Sequence, residues 1–320
     1  MFEIADRLLA AADTGKRLAV ATAISIEGSA PRTVGTSMAF DGEAVIGSIA
    51  GGCVEGAVVE ACVDVLADGA PRTVEYGVSD ETALSVGLTC GGQLRIHIQL
   101  LDASLLDSLR AGTAVEVCRE FTEQPPVERR MIIFGAMEFS AALAAAAAPM
   151  GYRVTVCDPR SLVATAERFP RAELVVQWPT SWLEREISAG SISETTVICV
   201  LSHDARFDAE LIELALASSA GYVGAMGSRT THDRRVASLA ERGVTDLGRL
   251  HSPIGLDLGG STPEETAISI LAEVLAVRSG AGAEPLRDAR GAIHGTLPGA
   301  LASQIPRSAS DAADPPPRLR

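Results

Sequence analysis

Two cysteines of this chain sit between glycines. Cys53 lies in Gly51-Gly52-Cys53-Val54-Glu55-Gly56, and Cys90 in Leu88-Thr89-Cys90-Gly91-Gly92. Flanking glycines expose the sulfur and let a bulky ligand approach the backbone. Cys53 also stands at the start of a predicted helix, where the helix N-terminus favours the thiolate. Thiolates suit soft metals and sulfur-bearing ligands. There is no Cys-x-x-Cys and no His-x-x-x-His, so a closed four-ligand zinc site is not indicated. The competing reading is two small buried residues in tight turns. Cys62, Cys118, Cys157 and Cys199 fall on an apolar helix stripe or in strand-like runs and read as core.

The second group of chemical residues lies in loops that follow short apolar runs. Gly135-Ala136-Met137-Glu138-Phe139-Ser140 occupies the place of a dinucleotide fingerprint, with Met137 where the second glycine belongs. Asp158 ends the next apolar run, 23 residues after Gly135, where a ribose-binding acid would stand. Ser202-His203-Asp204 follows another run, and Gly227-Ser228-Arg229 opens a helix after a further one. Free N–H groups at that helix start, with a guanidinium, suit a phosphate-like anion. The plainer reading is that the glycines permit turns, Arg229 pairs with a surface acid, and His203 and Asp204 cap a helix.

These loops need a scaffold, and the pattern around them supplies one. Residues 130–280 alternate strand-like runs (131–135, 152–158, 173–177, 195–202, 222–227) with helical stretches. Such alternation predicts parallel βαβ units, with ligands beyond the carboxyl ends of the strands. The last helix has a capping-box signature in Thr262, Pro263 and Glu265, followed by Ile268, Leu271, Val274 and Leu275 at helical spacing. Residues 1–118 mix helices at about 2–14 and 53–68 with strands at 17–25, 72–78 and 93–100 and a strand pair around Asp41-Gly42, predicting an α+β domain. The overall class is therefore α/β: an α+β domain followed by a Rossmann-like doubly wound sheet. The polar stretch 119–129, with its Pro-Pro pair, reads as a linker. Residues 281–320, with six prolines, read as a disordered tail.

Composition narrows the partners. The chain has 320 residues, 47% apolar and 21% charged, with 27 basic and 41 acidic side chains for a net charge of −14. That balance argues against nucleic acid or anionic lipid as the main partner. No apolar run reaches a membrane-spanning length, and the N-terminus lacks a basic region of signal-peptide type. A cytoplasmic protein with free thiols is expected, and a homodimer is the commonest assembly.

Several longer stretches carry a family resemblance. GSAPRTVGTSMAFDG (28–42), GSIAGGCVEG (47–56) and LTCGGQLRI (88–96) resemble the N-terminal domain of the xanthine dehydrogenase accessory factor family, XdhC/CoxI. FGAMEFSAAL, VTVCDPR, LSHDARFD, YVGAMGSRT and SPIGLDLGGSTPEETAISILAEVLA resemble its Rossmann-like half. The resemblance implies an accessory protein rather than an enzyme. It would bind molybdenum cofactor, guard it while its terminal sulfur is installed, and deliver it to a molybdenum hydroxylase apoenzyme of the xanthine or carbon monoxide dehydrogenase type. A cysteine desulfurase would be a second partner. The implied cofactor contacts are Cys53, Glu55 and Cys90, with Cys53 a candidate molybdenum contact, alongside Gly135, Asp158, His203, Asp204, Gly227, Ser228 and Arg229. This chain departs from the family's Gly-Ala-Gly-His-like turn at Met137 and Glu138. Two other readings stay open: an NAD(P)-linked oxidoreductase using Asp158 and the 135–140 loop, and a docking module that binds no cofactor.

Overall fold

A computed structural model describes the chain except for residues 28–31, 53, 78–92, 205 and 289–320. Cys53, Cys90 and all of the expected tail beyond residue 288 lie outside the described residues. The described chain divides into two compact units, Met1–Pro126 and Val127–Asp288.

The first unit is built on an antiparallel sheet of strands β1 (Ala19–Glu27), β2 (Ser37–Phe40), β3 (Val45–Gly47), β4 (Arg72–Tyr76) and β5 (Gln93–Leu100), in the order β3-β2-β1-β5-β4. β1 is central and its first six residues are all buried, because both faces of the sheet are covered. Helix α2 (Glu55–Asp68) packs Val58, Cys62 and Val65 on one face, against Ala21, Met38, Ile96 and Ile98. Helices α1 (Ala5–Asp13) and α3 (Ala103–Ala111) cover the other with Leu8, Leu105 and Leu109. A hairpin of β6 (Val115–Cys118) and β7 (Phe121–Glu123) joins that second core. β7 falls within the stretch 119–129 expected as linker: Phe121 packs on the core, and the unit boundary comes later, after Pro126.

The second unit is a parallel sheet of β8 (Arg129–Phe134), β9 (Tyr152–Cys157), β10 (Ala172–Val175), β11 (Thr196–Val200), β12 (Tyr222–Ala225) and β13 (Leu250–His251). Its order is β10-β9-β8-β11-β12-β13, so chain direction across the sheet reverses between β8 and β11. Helices α4 (Glu138–Ala147) and α8 (Pro263–Ser279) cover one face, around Met131, Ile133, Leu143 and Ile270. Helices α5 (Pro179–Ser188), α6 (Asp208–Ala217) and α7 (Arg229–Glu241) cover the other, around Ile132, Phe134, Leu183, Leu211 and Leu239. This is the doubly wound arrangement expected from the strand–helix alternation. The capping box of α8 forms as expected, with Thr262 and Glu265 satisfying each other's backbone N–H groups. Its buried stripe is Ala267, Ile270, Leu271 and Val274, while Ile268 and Leu275 face outward. The helix is apolar nearly all round, so spacing alone did not select the inward face.

Gly135 fixes the switch point. It has φ +102°, and a Cβ there would come within 2.9 Å of the Ser202 backbone nitrogen. Its N–H donates to Cys157 O at 3.0 Å, and the Ser202 N–H reaches Phe134 O at 3.0 Å. The turns after β8 and β11 therefore touch backbone to backbone. Gly135→Ala combines a disfavoured φ with overpacking, and is expected to lower stability by about 2–4 kcal/mol in chemical denaturation.

Candidate functional site

The cleft beyond the carboxyl ends of β8, β11 and β12 is a cavity of about 560 Å³. Phe139 at the start of α4, His203 after β11, the turn Met226-Gly227-Ser228 after β12, Ile254 and Thr266 form its walls. Gly227 brings its turn close to α7, since a Cβ there would lie 2.9 Å from Thr231 Cβ. Ser228 is the N-cap of α7, and its hydroxyl accepts from Thr231 N–H at 3.1 Å. His203 is exposed at the rim. Arg229 is also exposed and does not line the cleft. Gly224 admits Ile254: a Cβ at residue 224 would come within 2.4 Å of Ile254 Cδ1.

A buried polar group lies beneath this turn. Arg235, only 6% exposed, donates from Nη2 to Met226 O at 3.1 Å and from Nη1 to Ser252 Oγ at 3.2 Å. Its Nη2 is 3.9 Å from Asp208 Oδ2, and Asp208 Oδ1 accepts from Ser202 Oγ at 2.5 Å. Burial raises the Asp208 pKa and lowers that of Arg235, so desolvation outweighs the attraction between them on both sides. The group ties the β11, β12 and 252 loops together. A second tie is Glu273 on α8, which accepts from Tyr222 Oη at 2.5 Å and Gly255 N–H at 2.7 Å and meets His251 Nδ1 at 3.2 Å. Burial works against its charge, but His251, Tyr222 and the Gly255 amide outweigh it and lower the Glu273 pKa.

Asp158 is 2% exposed and fully engaged. Its Oδ2 accepts from Ala136 N–H at 2.7 Å and Arg160 Nη2 at 2.7 Å, and its Oδ1 from Arg160 N and Nε, both at 2.9 Å. Burial would raise its pKa, but Arg160 and the Ala136 amide hold it below the usual value. Asp204 is held at about 2 by its bonds from Arg206, whose guanidinium lies over the Trp178 ring. Both acids belong to local ion pairs outside the cleft wall.

In the first unit, Glu55 opens α2 and gathers the loop before it. Its Oε1 accepts from Ser48 Oγ at 2.7 Å, Ala50 N–H at 3.0 Å and Ile49 N–H at 3.2 Å. Its Oε2 accepts from Gly52 N–H at 2.8 Å and Val54 N–H at 3.2 Å. Burial would raise its pKa, but the Ser48 hydroxyl and the Ala50 and Gly52 amides bring it to about 2. Gly51 and Gly52, at φ +73° and +114°, allow the wrap. The carboxylate that the family resemblance assigns to a cofactor thus already holds the loop that carries Cys53.

Comparison with known families agrees with these two units. The model of the XdhC Rossmann domain matches residues 131–274, and that of the XdhC and CoxI family matches residues 11–77. The chain belongs to the XdhC and CoxI family. Among curated XdhC/CoxI relatives, a protein of Bacillus subtilis named as a probable xanthine dehydrogenase component is 26% identical, over 81% of this chain and 92% of that protein. The molybdenum cofactor insertion chaperone PaoD of Escherichia coli is 24% identical, over 83% of this chain and 85% of PaoD. An uncharacterized Escherichia coli protein, YqeB, is 27% identical over 82% of this chain, which spans 44% of YqeB. A crystal structure described as a xanthine dehydrogenase from Bacillus halodurans shares the fold, with a TM-score of 0.70 and 24% identity over 89% of this chain and 98% of that one.

In this XdhC/CoxI chain the structure brings His203, Gly227 and Ser228 to one cleft. It places Gly135 in the neighbouring turn as a packing residue and leaves Asp158, Asp204 and Arg229 outside the lining. Sequence reasoning missed Asp208, Arg235 and Glu273. Arg235 stands in RTTHDRRVASLAE, where three arginines offer no apolar contrast to mark the inward one. Among the described residues no group of three or more His, Cys, Asp or Glu could hold a metal, and no helix is long and apolar enough to cross a membrane. Cys157 and Cys199 are buried, and burial pushes the Cys157 thiol up to about 12. Cys62 is likewise core, raised by burial to about 11, whereas Cys118 is half-buried.

Proposed function

We propose that the protein is a maturation factor for a molybdenum hydroxylase, which takes molybdenum cofactor as cargo and passes it to the apoenzyme. The observation that carries this reading is the alignment with a molybdenum cofactor insertion chaperone over more than four fifths of both chains. The chemistry of the cleft supports it. Molybdopterin offers a phosphate, a polar pterin and a dithiolene. The Gly227-Ser228 turn at the start of α7 suits the phosphate, and the polar rim around His203 suits the pterin. Cys53 and Cys90 are assigned to the sulfur end, as a contact to molybdenum or as guards of the labile ligand during sulfuration. In that step a cysteine desulfurase is the sulfur donor. A homodimer in the cytoplasm completes the proposal.

The NAD(P)-linked alternative is less well served. The Ala136 N–H and both Asp158 oxygens, which would meet pyrophosphate and ribose, are bonded to each other and to Arg160. The deciding experiment is metal analysis and pterin fluorescence of protein purified from cells with an intact cofactor pathway, beside an NADH titration. Bound pterin and molybdenum are expected, and Cys53→Ala is expected to lower molybdenum content and client activation at least ~10-fold, the effect of losing a direct ligand. Tight NADH binding without pterin would overturn the proposal. Unchanged molybdenum and activation in Cys53→Ala would remove Cys53 from it.

A further inference from the structure

The parallel sheet carries a second concavity, at the edge where its strands begin. β8, β9, β11 and β12 start at Arg129, Tyr152, Thr196 and Tyr222, and all four residues line a cavity of about 500 Å³. That volume lies in the range of small-molecule sites. The cavity shares no lining residue with the strand-end cleft.

Its charge is unlike that of the whole molecule. The charged lining residues are Arg129, Arg249, Arg278 and Glu194, an excess of two positive charges in a chain of net −14. Among the described residues none of these three arginines forms an ion pair, whereas Arg130, next in sequence to Arg129, meets Glu186 at 2.5 Å. Arg249 instead donates to the carbonyls of Leu216, Ser218 and Ala220. Those oxygens end α6 and would otherwise repel an anion. Arg278 Nη1 donates to Tyr152 Oη at 3.2 Å, a neutral partner that leaves its charge uncompensated. Each guanidinium has five N–H donors, so most remain available. Val197, Val274 and Val277 give the cavity an apolar side.

We propose that this cavity binds a small organic polyanion, a compact molecule with two or more carboxylate or phosphate groups. Guanidinium groups on separate elements, converging on one hollow with a single acid, match the forked recognition of such groups. The site does not depend on the cargo reading of the other cleft.

The test is calorimetric titration of the full chain with citrate and, separately, with pyrophosphate. At least one probe is expected to bind one-to-one with a Kd below about 1 mM at low salt, and more weakly as salt rises. The stronger probe tells which acid group the site prefers. Arg129→Ala with Arg278→Ala is expected to weaken binding at least ~10-fold, as for the loss of charge-assisted bonds. Arg129→Ala alone, which removes no described hydrogen bond, is expected to weaken it with an unchanged melting temperature. Removing two charges elsewhere on the same unit, by Arg153→Ala with Arg242→Ala, is expected to leave it unchanged. Failure of both probes to bind wild type, binding that survives loss of Arg129 and Arg278, or equal loss in the surface control would each overturn the proposal.

Discussion

Glu55→Gln is expected to cost nearly as much as Glu55→Ala, about 2–4 kcal/mol in urea unfolding, although glutamine has almost the same shape. Both carboxylate oxygens act as acceptors, toward five donors between Ser48 and Val54. An amide has one accepting oxygen. Its NH₂ would face either the Gly52 and Val54 N–H groups or the Ser48, Ile49 and Ala50 donors. Amide hydrogen exchange should locate the damage, with the protection of Ala50 and Gly52 falling in both variants while α2 stays protected. The acid response gives an independent check. The folded pKa is about 2, below the usual carboxylate value, so Glu55 contributes stability that is complete above about pH 4.5 and lost as pH falls toward 2. Glu55→Gln should flatten the wild-type decline in that window. An unchanged decline would mean that the carboxylate does not hold the loop. Because Cys53 is carried on this loop, cargo retention should fall in the same variant even though Glu55 touches no ligand.

Arg235→Met is expected to destabilise the second unit by about 3 kcal/mol, because it strands Asp208 in a buried setting and frees Met226 O. The informative comparison is with Asp208→Asn/Arg235→Met. Removing the acid's charge as well should recover about 1 kcal/mol or more of that loss. The direction follows from Asp208, whose pKa burial raises. A raised acid favours the folded state below its unfolded value near 3.8, and that advantage fades as pH rises through the folded value. Arg235→Met should therefore lose stability more steeply with rising pH than wild type, and the double variant should not. Parallel pH profiles for wild type and Arg235→Met would show that the two groups are not coupled. Arg235→Lys should rescue only part of the stability, since one ammonium cannot span Met226 O and Ser252 Oγ as the fork does.

The strands of the second unit were legible because parallel strands covered on both faces leave continuous apolar runs, as in MIIF and TVICV. Helix α5 was not, since PTSWLEREIS buries only Trp182 and Leu183 among its large side chains and reads as loop. The β6–β7 hairpin was hidden by its charged outward residues and the nearby Pro-Pro pair. At the candidate sites, glycine spacing announced the turns at 51–52, 135 and 227. Sequence could not show which polar side chains those turns would consume. Glu55 and Asp158 both look like ligand-binding acids in one dimension. In three dimensions each is taken by backbone amides of its own neighbourhood.

The bonding of Asp158 limits how long a ligand the sheet can accept. In a doubly wound sheet a two-part nucleotide lies across the switch point and reaches outward over strands on both sides. Here the Ala136–Asp158–Arg160 knot occupies the ground above β9, and the open wall runs only over β8, β11 and β12 toward Ile254 and Thr266. The fold therefore offers a berth on one flank. A molecule with one phosphate and one ring system fits its reach, and a molecule with a second nucleoside would have to leave that part in solvent.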